Sequence, residues 1–194
     1  MELILSKGPT LPVSADVTLA ALNHFLAGVE RRAFRIARIA LRHDEDALDA
    51  VQDAMLKLAQ RYSQRDPAEW PALFHRILQN RVRDLQRRRQ VRGRVMALLP
   101  WRRDADEATD PVAEAPDPGP GPAEEVESAT LLLALEAAVR ALPRRQREAF
   151  LLRSVEGLDV AATAIAMGCS DGSVKTHHFR ALQALRAHLG ESWT

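Results

Sequence analysis

Eight arginines (Arg76, Arg81, Arg83, Arg87, Arg88, Arg89, Arg92 and Arg94) stand against a single acid, Asp84, between Arg76 and Arg94. Guanidinium groups at that density suit a polyanion, because each phosphate they neutralise releases condensed counterions. Nearer the other end, Ser173, Lys175, Thr176, His177 and Arg180 supply phosphate donors and short polar groups able to reach base edges in a major groove. A third set, Asp49, Gln52, Asp53, Leu56 and Gln60, places one leucine among acids and amides at helical spacing. An apolar centre with a polar rim is the pattern of a protein-docking face. Bond-making chemistry has no comparable set. The six histidines (24, 43, 75, 177, 178 and 188) show no metal spacing with carboxylates. His177 and His178 diverge by about 100° on a helix, too far to share one ion easily. No glycine loop suits a phosphate. Cys169, the only cysteine, permits neither an internal disulfide nor a cysteine zinc cluster, and reads as a small packing residue. The expectation is a binding protein rather than an enzyme, with no metal, cofactor or small-molecule substrate.

The elements that must position these groups read as helices. Aromatic residues make up only 5% of the 194, and strand-favouring runs are missing. Leu19, Leu22, Leu26, Val29, Ala33, Ile36 and Ala40 recur at steps of three and four, the stripe of a first helix beginning near Val17. His43-Asp44 breaks it, and Leu48, Val51, Met55, Leu58 and Tyr62 mark a second helix. Pro67 sits near the start of a third, which carries Leu73, Phe74, Ile77, Leu78 and Leu85 into the arginines. Tyr62, Trp70 and Phe74 could stack on unpaired bases, but Trp70 and Phe74 at helical spacing are more often core.

Residues 97–127 change character. Pro100, Pro111, Pro116, Pro118, Pro120 and Pro122 interrupt any helix, and six acids from Asp110 to Glu127 meet no Lys or Arg. Such a segment reads as a flexible acidic tether, able to span up to ~100 Å fully extended. A second domain follows over 128–190. Leu131, Leu135, Ala138 and Leu142 form one stripe, and Arg144 to about Val155 another helix ending at Gly157. Leu158 to Met167, a turn at Gly168-Cys169-Ser170, and a final helix to Leu189 have the form of a helix-turn-helix, with Ser170 as cap. The fold class is therefore all-α, with domains over 17–96 and 128–190. No apolar run approaches the ~20 residues needed to cross a bilayer, and Leu3-Ile4-Leu5 is too short for a signal peptide. A cytoplasmic location without membrane insertion is expected.

At this point two motif sets resemble the extracytoplasmic-function (ECF) sigma factors, a branch of the bacterial sigma-70 family. Asp46-Ala-Leu-Asp49-Ala-Val-Gln52-Asp53-Ala-Met-Leu-Lys-Leu is similar to region 2.2. Arg76-Ile77-Leu78-Gln79-Asn80, with Asp84 and Arg87-Arg88-Arg89, is similar to regions 2.3 and 2.4. Ala141-Leu142-Pro143-Arg144-Arg145-Gln146-Arg147-Glu148, Glu156-Gly157-Leu158, Gly172-Ser173-Val174-Lys175-Thr176 and Arg180-Ala181-Leu182 resemble region 4.

The resemblance implies a transcription initiation factor. Asp49, Gln52, Asp53 and Leu56 would dock on the β′ clamp helices of core RNA polymerase. Ser63, Gln64, Arg65 and Asp66 would capture a flipped base. Together with Arg76, Asn80, Arg83, Arg87 and Arg88 they would open and hold the −10 element. The second domain would dock on the β flap and read the −35 duplex of promoter DNA through Ser173, Lys175, Thr176, His177 and Arg180. An anti-sigma protein is the further partner implied, and the acidic tether would imitate nucleic acid in a basic channel. The sequence departs from the pattern in places. Leu73 stands where a Trp is usual, and His75 where an aromatic is common. Asp159-Val-Ala-Ala-Thr replaces an acidic pair, and His177-His178 a more basic stretch. An ordinary helix-turn-helix regulator is the competing reading, but it needs neither the Asp49–Asp53 face nor the arginine helix.

Overall fold

The computed structural model describes residues 15–97 and 122–190, with side chains over 18–92 and 131–190. Most of the acidic tether and the Arg94 side chain lie outside the described residues. Among the described residues every regular element is helical. The order is α1 (Ala15–Leu41), α2 (Asp44–Tyr62), a 3-10 turn (Pro67–Glu69), α3 (Trp70–Ala97), α4 (Pro122–Ala141), α5 (Arg144–Phe150), a π turn (Leu151–Val155), α6 (Val160–Met167) and α7 (Asp171–Leu189). No helix among these residues is long and apolar enough to cross a membrane.

The break at His43-Asp44 has a local cause. Arg42 turns into the left-handed region at φ 56° and ends α1, and the His43 ring nitrogen accepts from the Asp46 amide at 3.3 Å to start α2. The first core joins Leu22, Val29 and Ala33 of α1, Val51, Ala54 and Leu58 of α2, and Trp70, Phe74 and Leu78 of α3. Trp70 and Phe74 are fully buried, and Phe25 packs on them with ring centroids 6.0 and 6.1 Å away. Both are therefore core residues, and neither is available to a base. The stripe of α2 departs from expectation. Its buried line runs through Ala47, Ala50, Val51, Ala54 and Leu58, while Leu48 is 44% exposed. Alanines let neighbouring helices approach closely, which centres the contact on them and turns Leu48 outward by about 100°. Leu19 is likewise exposed, in the second turn of α1.

The C-terminal half differs from expectation in several places; Leu131, expected on the stripe of its first helix, is 46% exposed. Its first helix begins at Pro122, ahead of Ser128, since proline at the first helical position forfeits no hydrogen bond. The helix from Arg144 ends in a π turn closed by the Glu156 amide on Leu151 O at 3.0 Å, leaving Val155 exposed. A second core joins Ala138, Val139, Leu142, Phe150, Leu151, Ala181 and Leu185 with Ile36 and Ile39 of α1. A third joins Ala149, Leu152, Leu158, Ala164, Ala166, Met167 and Val174. The two helical halves are thus in contact, and α6 lies against α3 with Cα atoms within 8 Å.

Candidate nucleic-acid interface

Helix α7, which carries the expected reading residues, is set by its approach. Asp159 caps α6, its carboxylate accepting from the Ala162 amide at 2.7 Å. Gly168 ends α6 at φ 64°, a conformation that costs an L side chain about 1 kcal/mol or more. The Cys169 amide then reaches Ala164 O at 3.1 Å, a Schellman-type closure. Ser170 begins α7 by accepting from the Ser173 amide at 3.3 Å, and its hydroxyl lies 2.9 Å from that of Ser173. Behind this turn Glu148 is buried, paired with Arg144 at 2.7 Å and Arg145 at 3.2 Å, and Arg145 also donates to Met167 O at 2.8 Å. Val174, Ala181 and Leu185 face the core, while Lys175, Thr176, Phe179 and Arg180 are exposed on the outer face.

The arginine helix α3 divides its cations between two tasks. Arg81 Nε lies 2.7 Å from Asp53, and Arg89 pairs with Asp46 at 2.5 Å while donating to Leu41 O at 2.8 Å. These bonds, with Gln86 donating to Ala40 O at 2.9 Å, brace α3 against α1 and α2. Arg76, Asn80, Arg87, Arg88 and Arg92 are exposed. Arg83 is half-buried, its Nε donating to Gln79 O at 3.2 Å and its terminal nitrogen meeting Asn80. The adjoining loop is pinned at its base by the Trp70 indole, which donates to Tyr62 O at 3.0 Å. Gln64, Arg65 and Asp66 project into solvent and Ser63 is half-buried; Asp66 accepts from the Ala68 amide at 2.9 Å. On α2, Asp49 and Gln52 are exposed and Leu56 is 56% exposed, with Asp53 beside them.

Known proteins share this sequence pattern and this fold. The sigma-70 region 4 family matches residues 132–185, from α4 through most of α7. The ECF RNA polymerase sigma factor SigM of Mycobacterium tuberculosis is 34% identical over 161 residues, covering 82% of this chain and 72% of its own. The chain belongs to the ECF RNA polymerase sigma factors. SigF of Caulobacter vibrioides is 31% identical over 165 residues, covering 84% of this chain and 82% of that sigma factor. Among solved structures, RpoE of Bartonella quintana in complex with the anti-sigma factor NepR shares the fold at TM-score 0.59 and 22% identity, covering 90% of this chain and 94% of that one.

Within this ECF sigma factor, the expected reading residues all fall on α7 but not equally outward. Lys175, Thr176 and Arg180 are exposed; Ser173 and His177 are half-buried, Ser173 being engaged at the cap. Two neighbours escaped the sequence reading. Phe179 is 60% exposed beside Arg180, although an aromatic would ordinarily be assigned to the core. His178 lies 3.0 Å from Ser154, where burial and then the charge of Arg153 lower its pKa. Its signal was the position itself, one residue off the outward line. Burial raises the pKa of the Cys169 thiol, which packs against the third core, in keeping with a packing role.

Proposed function

We propose that this sigma factor brings core RNA polymerase to promoters by two separate contacts with DNA. The exposed Asp49, Gln52 and Leu56, with Asp53, dock on the β′ clamp helices. Ser63, Gln64, Arg65 and Asp66 capture an unpaired base, and Arg76, Asn80, Arg83, Arg87 and Arg88 hold the opened −10 element. Lys175, Thr176 and Arg180 read the −35 duplex with Ser173 and His177, while the unit carrying them docks on the β flap. Phe179 adds an apolar surface suited to a thymine methyl. The division of labour follows the sequence, with one unit over 17–96, a second over 128–190 extended back to Pro122, and the acidic tether between them.

The observation that carries this reading is the exposed, capped α7 face on the same chain as the exposed acid–amide–leucine face of α2. A regulator acting alone would need only the first. Strand opening requires no bond-making by this chain, so the chemistry belongs to polymerase, and the working location is the cytoplasm. The solved relative bound to an anti-sigma factor supports a partner of that class here as well. The test is transcription in vitro with purified chain and core polymerase. Promoter-specific transcripts are expected. Tight binding to duplex DNA by the chain alone, with no transcripts when core is added, would favour the regulator.

A further inference from the structure

His75 of α3 and Glu156, at the exit of the π turn, meet across the two halves with Nε2 and Oε2 3.3 Å apart. Their side chains are 1% and 2% exposed. Arg32 of α1 approaches the same carboxylate oxygen at 3.3 Å from the solvent side. Two departures from the family pattern converge on this seam. His75 replaces the common aromatic, and the alanines that replace the acidic pair lie on α6, which is in contact with α3. A π turn holds one residue more than an α turn, so it rotates the following residue by about 100° relative to a continued helix. That rotation delivers Glu156 to His75.

We infer that His75, Glu156 and Arg32 form a latch that holds the free sigma factor closed, with its second unit folded against the strand-opening helix. Adhesion comes from Ile36 and Ile39 buried against α4, α5 and α7, and from Arg38 of α1 beside Glu136 of α4 at 3.8 Å. The latch decides which arrangement that apolar surface adopts. It is also built to release. Neither His75 Nδ1 nor Glu156 Oε1 has a hydrogen-bond partner in the closed arrangement, and both would gain water on opening. The buried pair therefore selects a geometry while contributing little net adhesion.

The closed arrangement cannot serve a promoter. α7 packs on α6 and α6 on α3, so at 8–10 Å per helix contact the reading helix lies within roughly 20 Å of α3. Elements named for positions −35 and −10 are separated by about 25 base pairs, or about 85 Å of duplex. Opening must precede bipartite binding, and the tether's length permits it. This consequence rests on the proposed initiation role; the latch itself does not.

The experiment uses the full chain with Cys169→Ser, spin-labelled through Glu45→Cys on α2 and Ala187→Cys on α7, without DNA or polymerase. One short, narrow distance distribution is expected. Arg32→Glu, at a half-exposed site that folding tolerates, and Glu156→Arg should each shift it to long, broad distances with helicity unchanged by circular dichroism. His75→Glu combined with Glu156→His should restore the short distance. Opened variants should also bind a −35 duplex without polymerase about tenfold more tightly, since a rarely populated competent state lowers apparent affinity in proportion. A wild-type distribution that is already long and broad would overturn the latch, as would a short distance unmoved by Arg32→Glu and Glu156→Arg. Either result leaves promoter-specific transcription intact, and loss of transcription with distances as expected would strike the functional reading alone.

Discussion

The reading helix α7 and the arginine helix α3 carry similar chemistry but are built in opposite ways. α7 is short and fixed at its start by a capped turn, and it leaves Lys175, Thr176, Phe179 and Arg180 exposed together. α3 runs for 28 residues, about 42 Å, and is fixed along its length by its own cations. Arg81 and Arg89 hold it to α2, His75 and Gln79 are buried, and only part of the basic run remains exposed. Counting arginines therefore overstates how many can meet phosphate. On the proposed reading, the helix around which DNA strands separate spends some of its charge on bracing, whereas the helix that enters a formed groove is held from one end.

The largest expected effect concerns a surface outside both helices. Asp49→Arg should abolish core polymerase binding while circular dichroism shows an unchanged fold, Asp53 being left in place because it pairs with Arg81; retained binding by gel filtration would refute the α2 docking face. Next, Lys175→Ala with Arg180→Ala should weaken −35 binding by about 10- to 100-fold and reduce the salt slope by about 2 if both meet phosphate. An unaltered footprint there would sink the assignment of α7. The split within α3 can be tested directly. Arg87→Ala with Arg88→Ala should impair open-complex formation without lowering the melting temperature. Arg89→Ala should instead cost about 1 kcal/mol of stability, one charge-assisted bond to Leu41 O plus a partly exposed ion pair. The reverse pattern would erase the distinction between bracing and binding arginines.

Gly168→Ala should cost a similar ~1 kcal/mol, through backbone strain alone, because the added methyl would meet no atom within 4 Å. Denaturant melts would register it. The smallest effect is with pH. Burial tends to raise the pKa of Glu156, but the hydrogen bond and charge of His75 and then those of Arg32 outweigh it, so the folded-state value lies below 4.5. A depressed carboxylate stabilises above its unfolded pKa, and that contribution is lost as pH falls through the folded value. The label distance described above should therefore lengthen in acid below about pH 4.5; a distance unchanged there would remove Glu156 from the latch.

Much of this was legible from residues alone. The helical stripes of α1, α3 and α7, the Ser170 cap and the exposed Leu56 follow from periodicity and local hydrogen bonding, which depend on near neighbours in sequence. The shortfalls have a common physical origin. Leu48 turned outward because alanines elsewhere on α2 set the contact. Phe179 stayed outside, although nothing in its own type says so. The contact between the two halves was invisible for a stronger reason. A proline-rich tether argues for independence, whereas His75 and Glu156 lie 81 positions apart and meet only through tertiary packing. A family departure marked His75 as unusual but could not pair it with Glu156, which stands in a stretch that matches region 4.

Arg145 has a mechanical consequence. By gripping both Glu148 and the last carbonyl of α6, it ties the start of α5 to the entrance of the reading turn. The short helices α5 and α6 are thereby held as one solid piece. A motion begun at the seam with α3 would carry the reading face through space without deforming it, as a rigid arm swings a tool whose edge was ground beforehand.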